Sequence, residues 1–269
     1  MKKKQIRLTI PAVFLAAILL IFFGFFYWKE HKTLIIDQNP AVYTYEDLVS
    51  GLGETVDGRQ ILHFFIGDKE ASRKILITGG IHAREYITCQ LVMKQTVSFL
   101  EHLSNGDSYG VISYEDLLRD TAVHVICMVN PDGISISQLG LDGVQTDAVR
   151  ENLSQIAQLD GASLADSTYL KRWKANANGV DLNRNFDALW DSYADPAGHP
   201  SSDHYKGTAP GCEIESAALI QLTLQQQFTR TISYHTQGDV IYWYFGQEGD
   251  LYDQTLSFAN TIAATTGYP

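Results

Sequence analysis

KILITGGIHAREYITCQLVMKQTVSFLEHL (74–103) is the stretch that decides how this chain folds. Its first part, KILITGG (74–80), is a short aliphatic run closed by two glycines, the pattern of a buried strand ending in a turn. Residues 86–103 place apolar side chains at helical spacing and read as an amphipathic helix. Strand, tight turn and helix in that order open an α/β unit. Between them lies His82-Ala83-Arg84-Glu85, an imidazole and a carboxylate three positions apart.

Outward from this stretch the alternation continues. ILHFFIG (61–67) reads as a strand, and TAVHVICMVNPDG (121–133) as a buried strand stopped by Asn-Pro-Asp-Gly turn chemistry. Residues 134–180, rich in Ser, Asp, Gly and Asn, read as a long surface excursion with short helical patches. Residues 213–228 predict a helix, TISYH (231–235) a strand, DVIYWYF (239–245) another strand, and 250–266 a final helix. The expected fold class is α/β over residues 43–269: a mixed, largely parallel sheet with helices on both faces. In such sheets sites gather at the carboxyl ends of strands. His82 follows one such end and His235 terminates another, so the two can share a site although they are far apart in sequence.

The chain has 269 residues, 45% apolar and 19% charged, which suits a globular domain with a substantial core and argues against disorder. The formal charge of −11 is uneven: Lys2, Lys3, Lys4, Arg7, Lys29 and Lys32 against Glu30 give residues 1–32 a net +5, leaving −16 on the rest. An acidic body argues against non-specific nucleic-acid binding, which needs basic surface. It suits simple solubility or a substrate bearing an amine.

LTIPAVFLAAILLIFFGFFYW (8–28) carries no charge over 21 residues. At ~1.5 Å per residue it can cross a hydrocarbon core of ~30 Å. The expected organisation is a basic cytoplasmic tail (1–7), one N-terminal transmembrane helix (8–28), a linker (29–42) and an extracytoplasmic domain (43–269) at the cell membrane. A cleaved signal peptide is the competing reading. Three cysteines give no even disulfide framework, and Cys89 and Cys127 read as small core residues.

Two imidazoles and one carboxylate with a fourth position open is the donor set of a catalytic zinc. The same set could hold the iron of an oxygenase, although that chemistry suits an antiparallel barrel better. His82 and Glu85 could also be a loop pair with no metal, and His235 a core histidine. His63, His102, His124, His199 and His204 have no partner at useful spacing and are read as surface or packing residues. The run Tyr242-Trp243-Tyr244-Phe245 is read as a packed strand rather than a substrate platform.

Four blocks, GGIHAREYITCQL, NPDG, GVDLNRNF and ISYHTQGDVIYW, resemble in order the signatures of the zinc metallocarboxypeptidase family, whose fold is that of carboxypeptidase A. WKANANGVDLNRNF and YHTQG are similar to the bacterial branch that includes γ-D-glutamyl-meso-diaminopimelate peptidases of cell-wall peptides. The resemblance implies one Zn2+ on His82, Glu85 and His235. It implies that Asp181 receives the N–H of the first histidine ligand, fixing its tautomer and orientation. Asn183 and Arg184 match the pair that grips a substrate carboxylate, for which a guanidinium is the natural bidentate partner. Arg84 matches an arginine beside the substrate path. Lys174 stands where the family carries an arginine that supports the developing oxyanion, so Lys174 or its neighbour Arg172 is expected to supply that charge.

The implied activity is zinc-dependent hydrolysis of peptides bearing a free carboxylate, with peptidoglycan stem peptides as candidate substrates. The family's general-base glutamate lies well beyond the last zinc histidine, on a late strand. This chain ends at Pro269 before that region, so a C-terminal truncation is expected. Two alternatives stay open: a zinc- and peptide-binding fragment without turnover, and an amidohydrolase of small acylated amino acids.

Overall fold

A computed structural model describes residues 49–268. The proposed anchor at 8–28 and linker at 29–42 lie outside the described residues. No helix among the described residues is long and apolar enough to cross a membrane. The chain divides into two compact units, one up to Tyr234 and one from His235 onward.

The first unit is built on a five-stranded sheet. Its strands are β1 (Val49–Glu54), β2 (Gln60–Ile66), β3 (Arg73–Thr78), β6 (Thr121–Ile126) and β7 (Arg230–Ser233), ordered β1-β2-β6-β3-β7. Two short strands, β4 (Ser108–Tyr109) and β5 (Ile112–Ser113), form a separate hairpin that leads into the one-turn helix α2 (Tyr114–Leu117). β6 and β7 both run parallel to β3, whereas β1–β2 and β2–β6 are antiparallel. The sheet is therefore mixed in equal parts rather than largely parallel. β1 and β2 are joined by a tight turn, and a turn can only return the chain antiparallel, whereas parallel neighbours need a long crossover.

Side-chain alternation along the strands decides what covers each face. The long helix α1 (Ile87–Asn105) packs Val92 and Met93 against Val125, Phe64 and Ile77. Helix α6 (Ile214–Gln226) packs Ala218 and Leu222 against Ile61, Leu76 and Ile126 on the opposite face. Leu76 and Ile77 are adjacent and face opposite sides, so helices do cover both faces as expected. α1 ends at Gly106 in the left-handed conformation (φ 71°), whose N–H caps the carbonyls of the last turn.

Residues 134–180 are not a surface excursion. They form α3 (Pro131–Leu139), α4 (Asp147–Leu159) and α5 (Ser167–Lys171). Val149, Leu153, Ile156 and Ala157 of α4 join Ile136, Trp173 and Ala175 in a second buried core. Polar residues cap these helices: Thr146 and Asp166 within the segment, and Asn130 just before it, each accept a backbone N–H at a helix start. Composition alone made them look like loop residues.

The second unit, taken by itself, is irregular up to Glu248 and then forms α7 (Gly249–Thr266). Residues 239–245 make no strand. Trp243 instead packs edge-on against Tyr244 (5.7 Å) and Tyr252 (5.2 Å). The aromatic run has high strand propensity, but propensity without a pairing partner does not make a ladder.

Candidate metal centre

β3 stops at Thr78, and the chain crosses Gly79 and Gly80 to reach His82. Gly80 has φ +66°, and a Cβ there would stand 2.3 Å from the Cys89 sulfur. Only glycine admits that turn. Thr88 locks it from the other side, its hydroxyl accepting from the Gly80 N–H (2.9 Å) and donating to the Glu85 carbonyl (2.8 Å). Ala83–Glu85 then form a single 3-10 turn. Residues three apart eclipse in that conformation, so the His82 and Glu85 side chains point the same way. Both are buried, with His82 Nδ1 2.8 Å from Glu85 Oε1.

β7 lies parallel to β3 in register, with Thr78 opposite Ser233, and the Tyr234 N–H donates to the Thr78 carbonyl (2.9 Å). His235 is the next residue in the sequence. Ligand-type atoms of His82, Glu85 and His235 all lie within 4.8 Å of one another. Zinc–ligand bonds of ~2.0–2.2 Å place tetrahedral donors about 3.4 Å apart. A nitrogen, oxygen and nitrogen set is the donor chemistry a catalytic zinc takes.

The far nitrogen of His82, Nε2, lies 3.3 Å from Asp181 Oδ1. Asp181 is fully buried. Burial would push its carboxyl up, but the hydrogen bond and positive charge of His82, with the charge of Lys174, outweigh it and hold the group well below the usual carboxylate range. For His82, burial works against protonation, and the Asp181 and Glu85 carboxylates outweigh it, raising its pKa. Asp181 also caps the 3-10 turn Leu182–Arg184, accepting from the Asn183 N–H (3.2 Å).

The other expected residues lie on the same loops. Asn183 is exposed, and Arg184 is half-buried with its guanidinium 4.5 Å over the Tyr193 ring. Its guanidinium donates to the Asn183 carbonyl (3.3 Å). Arg84 points to the surface, 3.3 Å from Asp203 and 3.2 Å from the carbonyl of Arg172, whose own side chain is exposed. Lys174 is buried, with Nζ 2.7 Å from Asp181 and 3.0 Å from Asp203.

Two residues that matter here went unread in the sequence. Asn130 of the NPDG block is fully buried. Its amide donates to the carbonyls of Ile81 (3.2 Å) and Ala175 (3.0 Å), tying the His82 loop to the Lys174 loop. The turn signal at Asn130 was visible, but this second role was not. Asp203 had no signal at all, lying in SSDHY (201–205). His63 and His124, expected as packing residues, stack 5.0 Å apart with Nε2 and Nδ1 2.9 Å from each other.

The sequence profile of the family described as zinc carboxypeptidase matches residues 40–266. The chain is 31% identical over 217 residues to the uncharacterized protein YqgT of Bacillus subtilis (strain 168), covering 80% of this chain and 54% of that one. It is 32% identical over 195 residues to gamma-D-glutamyl-L-diamino acid endopeptidase 1 of Lysinibacillus sphaericus, covering 72% and 46%. The chain thus spans about half the length of the curated relatives it matches. Among solved structures, thrombin activatable fibrinolysis inhibitor superposes with a TM-score of 0.58 at 20% identity, over 81% of this chain and 50% of that one, a likeness of fold. With a family profile running over most of its length and its fold shared with that structure, this chain belongs to the zinc carboxypeptidase family.

Proposed function

We propose that this chain carries the metal centre of a zinc-dependent hydrolase of peptides with a free carboxylate, acting on cell-wall peptides that contain a diamino acid. The observation that carries the reading is the donor set of His82, Glu85 and His235 within 4.8 Å, with Asp181 behind His82. Zinc in that place supplies Lewis-acid polarisation of a carbonyl and acidifies water. His82 and Glu85 hold their geometry because the 3-10 turn and Thr88 fix them before any ligand arrives. Arg184, stacked on Tyr193, and Asn183 beside it bind the substrate carboxylate. Arg172, exposed at the end of α5, is the cation left to face a developing oxyanion, since Lys174 is held by two carboxylates.

The diamino-acid part of this reading is supported by the name of the Lysinibacillus relative and by the net charge of −16 beyond residue 32, which favours a substrate with a free amine; the cell-wall part follows the resemblance of the WKANANGVDLNRNF and YHTQG blocks. Location at the cell membrane, with residues 8–28 as a single-pass anchor and the domain outside, is part of the same proposal. The test is to incubate the full-length protein with a γ-D-glutamyl-diamino acid peptide, with and without chelator. The expected result is cleavage that chelator abolishes and zinc restores, and that Arg184→Met weakens chiefly through KM. Cleavage indifferent to chelator, or zinc-loaded protein that neither binds nor cleaves the peptide, would overturn it.

A further inference from the structure

Lys174 is joined to the metal centre by both its main chain and its side chain. Its carbonyl accepts from the N–H of Ala83, which sits next to His82 (3.0 Å), and its own N–H donates to the Ser202 carbonyl (2.9 Å). Its ammonium spans Asp181 Oδ2 (2.7 Å) and Asp203 Oδ1 (3.0 Å), and the other oxygen of Asp203 meets Arg84 at 3.3 Å. Trp173, fully buried, anchors the loop by donating its indole N–H to the Asn176 carbonyl (3.1 Å).

A buried carboxylate with one partner can turn about its broad terminal torsion and present either oxygen. Asp181 cannot, because Lys174 takes Oδ2 and leaves Oδ1 facing His82. An ammonium has three N–H donors. Here the ammonium hydrogen-bonds Asp181 Oδ2 (2.7 Å) and pairs with Asp203 Oδ1 (3.0 Å), so both of its charged neighbours are carboxylates of the protein. We infer that Lys174 is a positioning residue: it acts through Asp181 to orient His82 as a metal ligand, with Asp203 holding it in place, and it does not act on the substrate. This rests on the zinc-centre reading given above.

The experiment measures zinc affinity of the full-length protein by competition with a chromophoric chelator, together with the visible absorption spectrum after cobalt substitution. Partners behind a metal-bound histidine typically affect affinity by about 10–100-fold. Lys174→Met is expected to raise the zinc Kd by about that factor and to alter the cobalt spectrum. Lys174→Arg, which keeps a cation between the two carboxylates, is expected to recover most of the affinity. Asp203→Asn is expected to shift affinity in the same direction by less, and it decides the matter if Lys174→Met does not fold. Unchanged zinc affinity and cobalt spectrum in Lys174→Met, or in Asp203→Asn where that variant decides, would overturn the inference; lost cleavage beside them would assign the lysine to the substrate. A wild-type protein that binds no zinc would sink the zinc reading itself, a failure visible before any variant is made.

Discussion

Replacing Asp181 by Asn keeps the shape of the side chain and removes its charge at the point where three donors converge. The carboxylate faces Lys174 Nζ (2.7 Å), the Asn183 N–H (3.2 Å) and His82 Nε2 (3.3 Å), and is fully buried. An amide has one acceptor end and one donor end. Whichever way it is placed, its NH2 opposes either Lys174 or the His82 side. Removing one partner of a buried ion pair costs roughly 3–5 kcal/mol. Lys174 keeps Asp203 at 3.0 Å. The expected loss is therefore at the bottom of that range, about 3 kcal/mol for the metal-free protein at pH 7. With a denaturant slope near ~2 kcal/mol per M of urea, the midpoint should fall by about 1.5 M. The wild-type contribution follows from a carboxyl held below its unfolded value: it is present above about pH 4 and lost as pH falls further. Zinc affinity should fall by about 10–100-fold in parallel, or roughly 1.4–2.7 kcal/mol. A midpoint shift under ~0.5 M with zinc affinity held within about twofold would refute the geometry around His82.

Gly80→Ala should cost about 3 kcal/mol, because the new Cβ meets the Cys89 sulfur at 2.3 Å and Ile134 at 2.8 Å with φ at +66°; a loss below ~1 kcal/mol in a urea melt would contradict the strained turn. Burial pushes His63 and His124 down to about 4 from an ordinary 6.5, with His63 and Lys74 adding repulsion at His124. The unfolded chain takes up those protons first, so stability should fall between about pH 6.5 and 4. His124→Phe should flatten that slope, and a variant that keeps the wild-type slope would refute the assignment. Glu215, fully buried in the first turn of α6, is pushed up to about 7 by burial, with Glu213 and Asp132 adding to it. The unfolded state releases its proton first, so this group costs stability as pH rises from 4.5 towards about 7. Glu215→Gln should gain on wild type with rising pH in paired melts at pH 4.5 and pH 8, and the opposite trend would be fatal to that reading.

Much of this was legible in the sequence. β2, β3, β6, α1, α6 and α7 follow from period-2 or helical spacing with recognisable stops, and each signal is local. β1, VSGLGE, carries two glycines and little strand propensity; it is a strand because β2 offers it a ladder. Residues 239–245 show the converse, strong propensity with no strand formed. The apolar positions of α4 were readable at Val149, Leu153 and Ile156, yet the surrounding Ser, Asp and Asn drew the segment towards a loop reading. Those polar groups cap helices and bridge loops from within the core, a role that depends on partners far away in the chain.

At the candidate centre the division is the same. His82 and Glu85 were marked by spacing, and Asp181, Asn183, Arg184 and His235 by their ordered blocks. The parallel register of β3 and β7, the link from Asn130 to two loops, and the bridge that Lys174 makes from Asp181 to Asp203 were decided only in three dimensions. Residue type and short-range spacing carry chemistry, because donor atoms and backbone preferences belong to each residue. Which distant donor meets which acceptor is settled by packing, where burial makes an unmatched polar group costly and leaves few arrangements standing.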